Sequence, residues 1–131
     1  MKSILKYSKT VLLAFCVVTI LATTSCHKEG TGGKSSVSGN VKHHTKLIPN
    51  AIVYIKYGAT EFPGTDVSNY DASITSDTNA HYEFKDLRKG DYYLYGVGWD
   101  PSGGAGFSVT GGVGIKLKYN NASTNDIPVT E

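Results

Sequence analysis

Tyr82-Glu83-Phe84-Lys85-Asp86-Leu87-Arg88-Lys89-Gly90-Asp91-Tyr92-Tyr93-Leu94-Tyr95 reads as two strands parted by a turn. Tyr82 and Phe84 flank Glu83, Tyr92 and Leu94 flank Tyr93, and Arg88-Lys89-Gly90-Asp91 supplies turn residues between them. Alternation with a period of two turns every second side chain to the same side of a strand, so one face is buried and the other is wet. The pattern continues outward in both directions. Ala51-Ile52-Val53-Tyr54-Ile55-Lys56-Tyr57 is β-branched and aromatic, and Ala72 and Ile74 alternate with polar neighbours. Val113, Ile115, Leu117 and Tyr119 alternate with Gly114, Lys116 and Lys118, and Ile127 and Val129 bracket Pro128. Further turn clusters stand at 48–50, 77–79 and 120–121, and no helical apolar stripe follows Cys26. Six or seven short strands in this length predict an all-β fold, a single antiparallel β-sandwich. Pro128 has no amide hydrogen, so the last strand should lie at an edge or pair on one side only.

The N-terminal part is of a different kind. Lys2, Lys6 and Lys9 precede an uninterrupted apolar run over 11–22. A run of about twelve residues suits a signal segment and falls short of the ~20 that span a bilayer as a helix. Thr23-Thr24-Ser25-Cys26 follows, and it resembles the lipobox of bacterial lipoproteins, in which a small residue precedes a cysteine that becomes the lipid-modified N-terminus. The leucine usual three residues before that cysteine is Thr23 here. A plain secretory signal cut near Ala22, or an uncleaved anchor, would explain the charge and the apolar run but not the cysteine placed behind them. The resemblance implies a signal peptide over 1–25, a lipidated Cys26 opening a flexible linker over 26–36, and a sandwich domain over 37–131. Polar, glycine-rich HKEGTGGKSS has the composition of such a tether. His27 stands where an aspartate would resemble an inner-membrane retention signal, so a lipid-anchored place at the outer membrane of the cell envelope is expected.

Processing changes the charge. The whole chain carries 13 basic and 11 acidic residues, and residues 1–25 hold three lysines and no acid. The mature balance is therefore about −1, which offers no basic field for nucleic acid. Of the two cysteines, Cys16 leaves with the signal and Cys26 would carry lipid, so the folded body has no disulfide to rely on.

Ser38-Gly39-Asn40-Val41, Ile48-Pro49-Asn50-Ala51-Ile52-Val53, Asp77-Thr78-Asn79-Ala80-His81-Tyr82-Glu83-Phe84 and Leu87-Arg88-Lys89-Gly90-Asp91-Tyr92-Tyr93-Leu94 follow one another in an order that resembles the carboxypeptidase regulatory-like domain. That family has a transthyretin-like sandwich, similar also to the B-type repeats of collagen adhesins. The resemblance covers about residues 37–95. It implies about seven strands in a Greek-key arrangement, with Ala51, Val53, Ile55, Tyr82, Phe84, Leu87, Tyr92 and Leu94 lining one core. It implies a close approach at Gly39, a turn shaped by Pro49 and Asn50, and an accessory module rather than a catalyst. The family's turn glycine is Ala80 here, so Asn79 is expected to take the left-handed position instead. Adhesin repeats place a crosslinking glutamate where this chain has Gly96, and a transthyretin-like hydrolase ends in Tyr-Arg-Gly-Ser where this chain ends Ile127-Pro128-Val129-Thr130-Glu131. Neither an isopeptide crosslink nor that hydrolase activity is expected, and no cofactor is implied.

Residue chemistry points the same way. Neighbours on a strand face opposite ways, so His43-His44 could share a metal ion only if that stretch is a loop; two exposed loop histidines is the favoured reading. Asp66, Asp71 and Asp77 lack calcium-loop spacing, and the glycine-rich 103–114 stretch, read as a mobile loop, lacks a phosphate-binding pattern. One row of side chains remains. If Tyr92 and Leu94 face the core, Tyr93, Tyr95, Val97 and Trp99 line the other face, and Tyr54 joins them if its strand lies alongside. Such a row is either an aromatic platform for glycan or protein, or a second small core covered by Phe107, Pro101 or the 59–70 loop; the covered arrangement is favoured. The expected function is a non-catalytic envelope module that binds protein or glycan. The alternative is a structural subunit of a transport or adhesion complex, and an unrecognised hydrolase comes a distant third.

Mass spectrometry of the protein from its native host checks the processing. The expected mass is that of residues 26–131 with acyl chains on Cys26; an unmodified Cys26, or retention of residues 1–25, would contradict it.

Overall fold

The structure is a computed structural model that describes residues 28–131, so the signal segment, Cys26 and His27 lie outside the described residues. Nine strands follow in order: β1 (Thr31–His43), β2 (Lys46–Leu47), β3 (Ile52–Tyr57), β4 (Ala72–Thr75), β5 (His81–Leu87), β6 (Gly90–Asp100), β7 (Phe107–Leu117), β8 (Ala122–Thr124) and β9 (Ile127–Pro128). Two of them, β2 and β9, are only two residues long, which leaves seven strands of ordinary size. One sheet has the order β4-β3-β6-β7 and is antiparallel throughout. The other is built on β1, which pairs antiparallel with β5 and β2 and parallel with β8 and β9. The two sheets form an all-β sandwich.

The parallel pairs depart from the purely antiparallel expectation, and connectivity explains them. β7 finishes beside Gly90, at the end of the molecule where β1 begins. A segment that enters next to β1 from that end can only run in the same direction. Pro128 pairs on one side, with β1, as its missing amide hydrogen demands.

Alternation sorts the core. Val53, Ile55, Tyr92 and Leu94 from one sheet meet Val37, Val41, Tyr82, Phe84 and Leu87 from the other, and Ile48, Ala51, Val109, Ile115, Leu117, Ile127 and Val129 complete the cluster. All eight residues expected to line one core lie in it. Gly39 sits where the Asn125 carbonyl crosses β1, and an added Cβ would lie 1.9 Å from that oxygen. Tyr82 Oη donates to the same carbonyl from below.

Three expectations are corrected. Much of the tether expected over 26–36 is strand, because β1 starts at Thr31. Its glycines and serines contribute backbone and hydroxyl contacts rather than apolar surface. Gly33 lies against the Leu87 carbonyl, and buried Ser35 donates to the Lys118 carbonyl at 2.6 Å. Much of the loop expected after Pro101 is also strand, since β7 starts at Phe107. Its glycines mark close approaches: Gly111 to the Pro128 carbonyl, Gly112 to the Tyr93 ring and Gly114 to the Thr60 carbonyl. Finally, the left-handed residue in the 77–81 turn is Ala80 itself, with φ 60°, not Asn79. Asp77 imposes this, because its Oδ1 accepts from both the Asn79 and His81 amides and its carbonyl accepts from Ala80 N.

Gly39→Ala is expected to lower unfolding free energy by about 1–3 kcal/mol, since backbone and not a flexible side chain blocks the new methyl. Ser38→Ala, one residue away, should change it little. Equal denaturant midpoints for the two variants would show that the 125 segment does not press on β1.

Candidate functional site

The outward face of the β4-β3-β6-β7 sheet carries the aromatic row. Tyr93, Tyr95, Val97 and Trp99 project from β6, and Tyr54 on β3 stands directly across from Tyr95. Their fates differ along the strand. Residues 58–71 fold back over the near half, and their two ends meet where Asp71 N donates to the Ile55 carbonyl. Phe62 from this segment lies 5.4 Å from Tyr95 and 5.9 Å from Tyr93, between ring centres. Tyr70 stacks on Tyr95 at 5.5 Å and 16°, and touches Tyr54 at 5.7 Å. Tyr93 and Tyr95 are thereby reduced to 9% and 3% exposure. The cover foreseen for this row therefore comes from the 59–70 loop. Phe107 packs elsewhere, edge-on to His43 and against the main core.

The loop is held by its own polar groups, as compact Ω-loops are. Asp66 Oδ1 accepts from the amide and hydroxyl of Ser68, which caps a short 3-10 turn over Val67–Asn69. Tyr70 Oη donates to the Gly64 carbonyl, and Asp71 accepts from Tyr57 N at 2.7 Å. Burial, with Tyr95 and Tyr93 adding to it, pushes the Tyr70 hydroxyl up to about 12. Neutral phenols are what a second core of this kind holds.

Beyond the cover the face is open. Trp99 is 56% exposed, Ile52 40% and Phe62 51%. Ile52 stands across from Val97, Thr75 lies beside Ile52 on β4, and Ser108 and Thr110 stand opposite Trp99 and Val97 on β7. The result is a flat apolar strip with hydroxyls along its edges. Of the four residues expected to bind, Trp99 is the most accessible, Tyr54 is half-buried beneath Tyr70, and Tyr93 and Tyr95 serve as the floor under the loop.

The indole is fixed from behind. Gly106 has φ 69° and passes so close that a Cβ there would lie 2.5 Å from Trp99 Nε1. The turn bearing Gly106 is pinned by Asp100, the residue after Trp99, whose side chain is 2% exposed. Its carboxylate accepts from Lys46 Nζ, from Ser102 N at 2.9 Å and from His43 Nδ1 at 2.9 Å. Lys46 also donates to Ser102 Oγ. Lys46 first, then Ser102 and His43, hold the Asp100 carboxyl far below the ordinary carboxylate range. His43 is thus no exposed loop histidine: it ends β1, half-buried, while His44 takes the exposed left-handed position. With both carboxylate oxygens of Asp100 engaged, this group fixes the strand end and the turn against which Trp99 packs.

Nothing local in the sequence marks the role of Asp100, whose partners Lys46 and His43 lie 54 and 57 residues away. Phe62 and Tyr70 were the legible hint, two large aromatics in a stretch otherwise made of turn residues.

No family model matches the chain, and none of the curated proteins is similar to it in sequence. Its fold is similar to a crystal structure from Pseudomonas aeruginosa, described as that of a proposed carbohydrate binding protein, with a TM-score of 0.54 and 14% identity over 76% of this chain and 90% of the other. At that identity the likeness concerns the fold.

Asp100→Asn is expected to loosen the 101–106 turn and red-shift the emission of Trp99, the chain's one tryptophan. A carboxyl depressed by folding contributes stability above its unfolded pKa near ~4, lost as pH falls through the lower folded value. Native Trp99 emission should therefore hold steady at neutral pH and drift only in acid below that range. An unchanged spectrum in the variant would show that Asp100 does not position the indole.

Proposed function

We propose that this chain is a lipid-anchored cell-envelope protein whose sandwich binds glycan, without catalysis, through the face around Trp99. The carrying observation is an indole packed against Gly106 yet 56% exposed on the sheet face, with Ser108, Thr110 and Thr75 at its edges. Sugar rings offer a face of aliphatic C–H groups and a rim of hydroxyls. A fixed indole covers the first at little entropic cost, and neighbouring hydroxyls meet the second. The carbohydrate binding proposed for a protein of similar fold supports the same reading. Anchorage at Cys26 would hold that face at the cell envelope, since two or three acyl chains anchor stably where one does not.

A structural role in a larger envelope complex is the competing assignment, and one experiment separates the two. Envelope glycans are titrated against the purified protein while Trp99 emission is followed, with Trp99→Ala as control. Saturable change that the variant lacks is expected. If no glycan or envelope extract moves the emission and crosslinking in cells captures one constant protein, the structural assignment replaces glycan binding.

A further inference from the structure

The end of the sandwich opposite Trp99 carries an unusual charge distribution. Lys34, Arg88, Lys89 and Tyr119 line a hollow of about 250 Å³ together with Gly32 and Gly33. A second hollow of about 540 Å³ shares Lys89 and Tyr119 and adds Lys116 and Lys118. Lys28 adjoins them, its carbonyl accepting from Arg88 Nη1 at 3.2 Å. Six cations thus gather at this end, against Glu29, Asp91 and nearby Asp86. The remaining described residues hold four cations and eight carboxylates, so the rest of the domain is net acidic. Only Lys116 among the six lies in ion-pair reach of a carboxylate among the described residues, Asp91 at 3.5 Å. Tyr119 stands among these cations at 67% exposure, an aromatic body with a polar tip. Arg88 Nε is buried there without a hydrogen-bond partner among the described residues.

The path of the chain gives this end its meaning. Gly30 N donates to Tyr92 Oη at 2.9 Å, Tyr92 Oη donates to the Arg88 carbonyl at 2.7 Å, and Arg88 N donates to the Gly30 carbonyl at 2.8 Å. The backbone is therefore part of the sandwich from residue 30. Cys26 precedes Lys28 by two residues, a reach of at most about 7 Å even when fully extended. Acyl chains on Cys26 leave no room for a long tether, and whatever surface they enter lies against this end.

We propose that the Lys34–Arg88–Lys89–Lys116–Lys118–Tyr119 end of the domain seats on anionic phospholipid headgroups, so that the sandwich stands on the membrane with Trp99 at its far end. This rests on lipid attachment at Cys26. The lysines and Arg88 meet the phosphates, Tyr119 enters the headgroup layer as interfacial tyrosines do, and the acidic remainder is repelled from the surface. β6 runs from Gly90 at this end to Trp99, and at ~3.3 Å per residue it carries the glycan face roughly 30 Å outward.

Lysine footprinting of the intact mature protein tests this. The protein is reconstituted into phosphatidylcholine vesicles with or without phosphatidylglycerol, treated briefly with an amine-acylating reagent, and digested for mass spectrometry. With phosphatidylglycerol, Lys34, Lys89, Lys116 and Lys118 should label at least fivefold more slowly than in pure phosphatidylcholine, and 0.5 M salt should restore them. Lys42 and Lys46, at the opposite end beside Asp126 and Asp100, should label alike throughout. Equal labelling of all these lysines in both vesicle types overturns the seating. A protein that fails to float with either vesicle, and whose Cys26 peptide lacks acyl mass, overturns the anchor itself and the seating with it.

Discussion

Two hydrogen-bonded ties between the β1 segment and β6, one at each end of the sandwich, hold together sheets that share no disulfide. At one end the Tyr92 hydroxyl grips the Gly30 backbone; at the other, Asp100 grips His43. Both ties join backbone or side chains from opposite sheets, and both are shielded from water, where a hydrogen bond is costly to lose. Between them lies an apolar core from Val37 and Val41 to Leu94 and Ile115. The ties determine how the strands end, and so where Trp99 and the cationic cluster lie.

β6 does the most varied work. From Tyr92 to Gly96 every residue is buried, because the strand has the main core on one side and the 58–71 cover on the other. Where the cover stops, the same alternation delivers Trp99 to the surface, and the next residue, Asp100, turns inward to lock it. A rigid aromatic is thus produced by two neighbouring residues of one strand facing opposite ways. The two ends differ in chemistry: one gathers cations near residue 30, and the other presents the indole.

The main core was legible because it obeys period two: Val53 and Ile55, Tyr82 and Phe84, Tyr92 and Leu94 alternate in sequence as they do in space. The aromatic row on the other face was legible for the same reason, and so was the possibility of a cover. The first half of β1 was hidden, since Gly33 and Ser35 hold their places through backbone proximity and hydroxyl bonds that leave no apolar pattern. The first half of β7 was hidden likewise by glycines that a crossing carbonyl or ring requires. The Asp100 tie had no local signature, because its meaning depends on a histidine and a lysine brought from the far end of β1 and from β2. At Ala80, propensity pointed to the neighbouring asparagine, but the two amides bound by Asp77 fixed the geometry instead.

The account turns on the backbone being part of the body from Gly30 onward, and native-state hydrogen exchange reads this amide by amide. The amides of Gly30, Ser36 and Arg88 should exchange only with global unfolding, as slowly as Leu94 in the middle of β6. Rapid exchange at Gly30 and Ser36, with Leu94 still protected, would mean that the leading segment is a loose tether and would contradict the account.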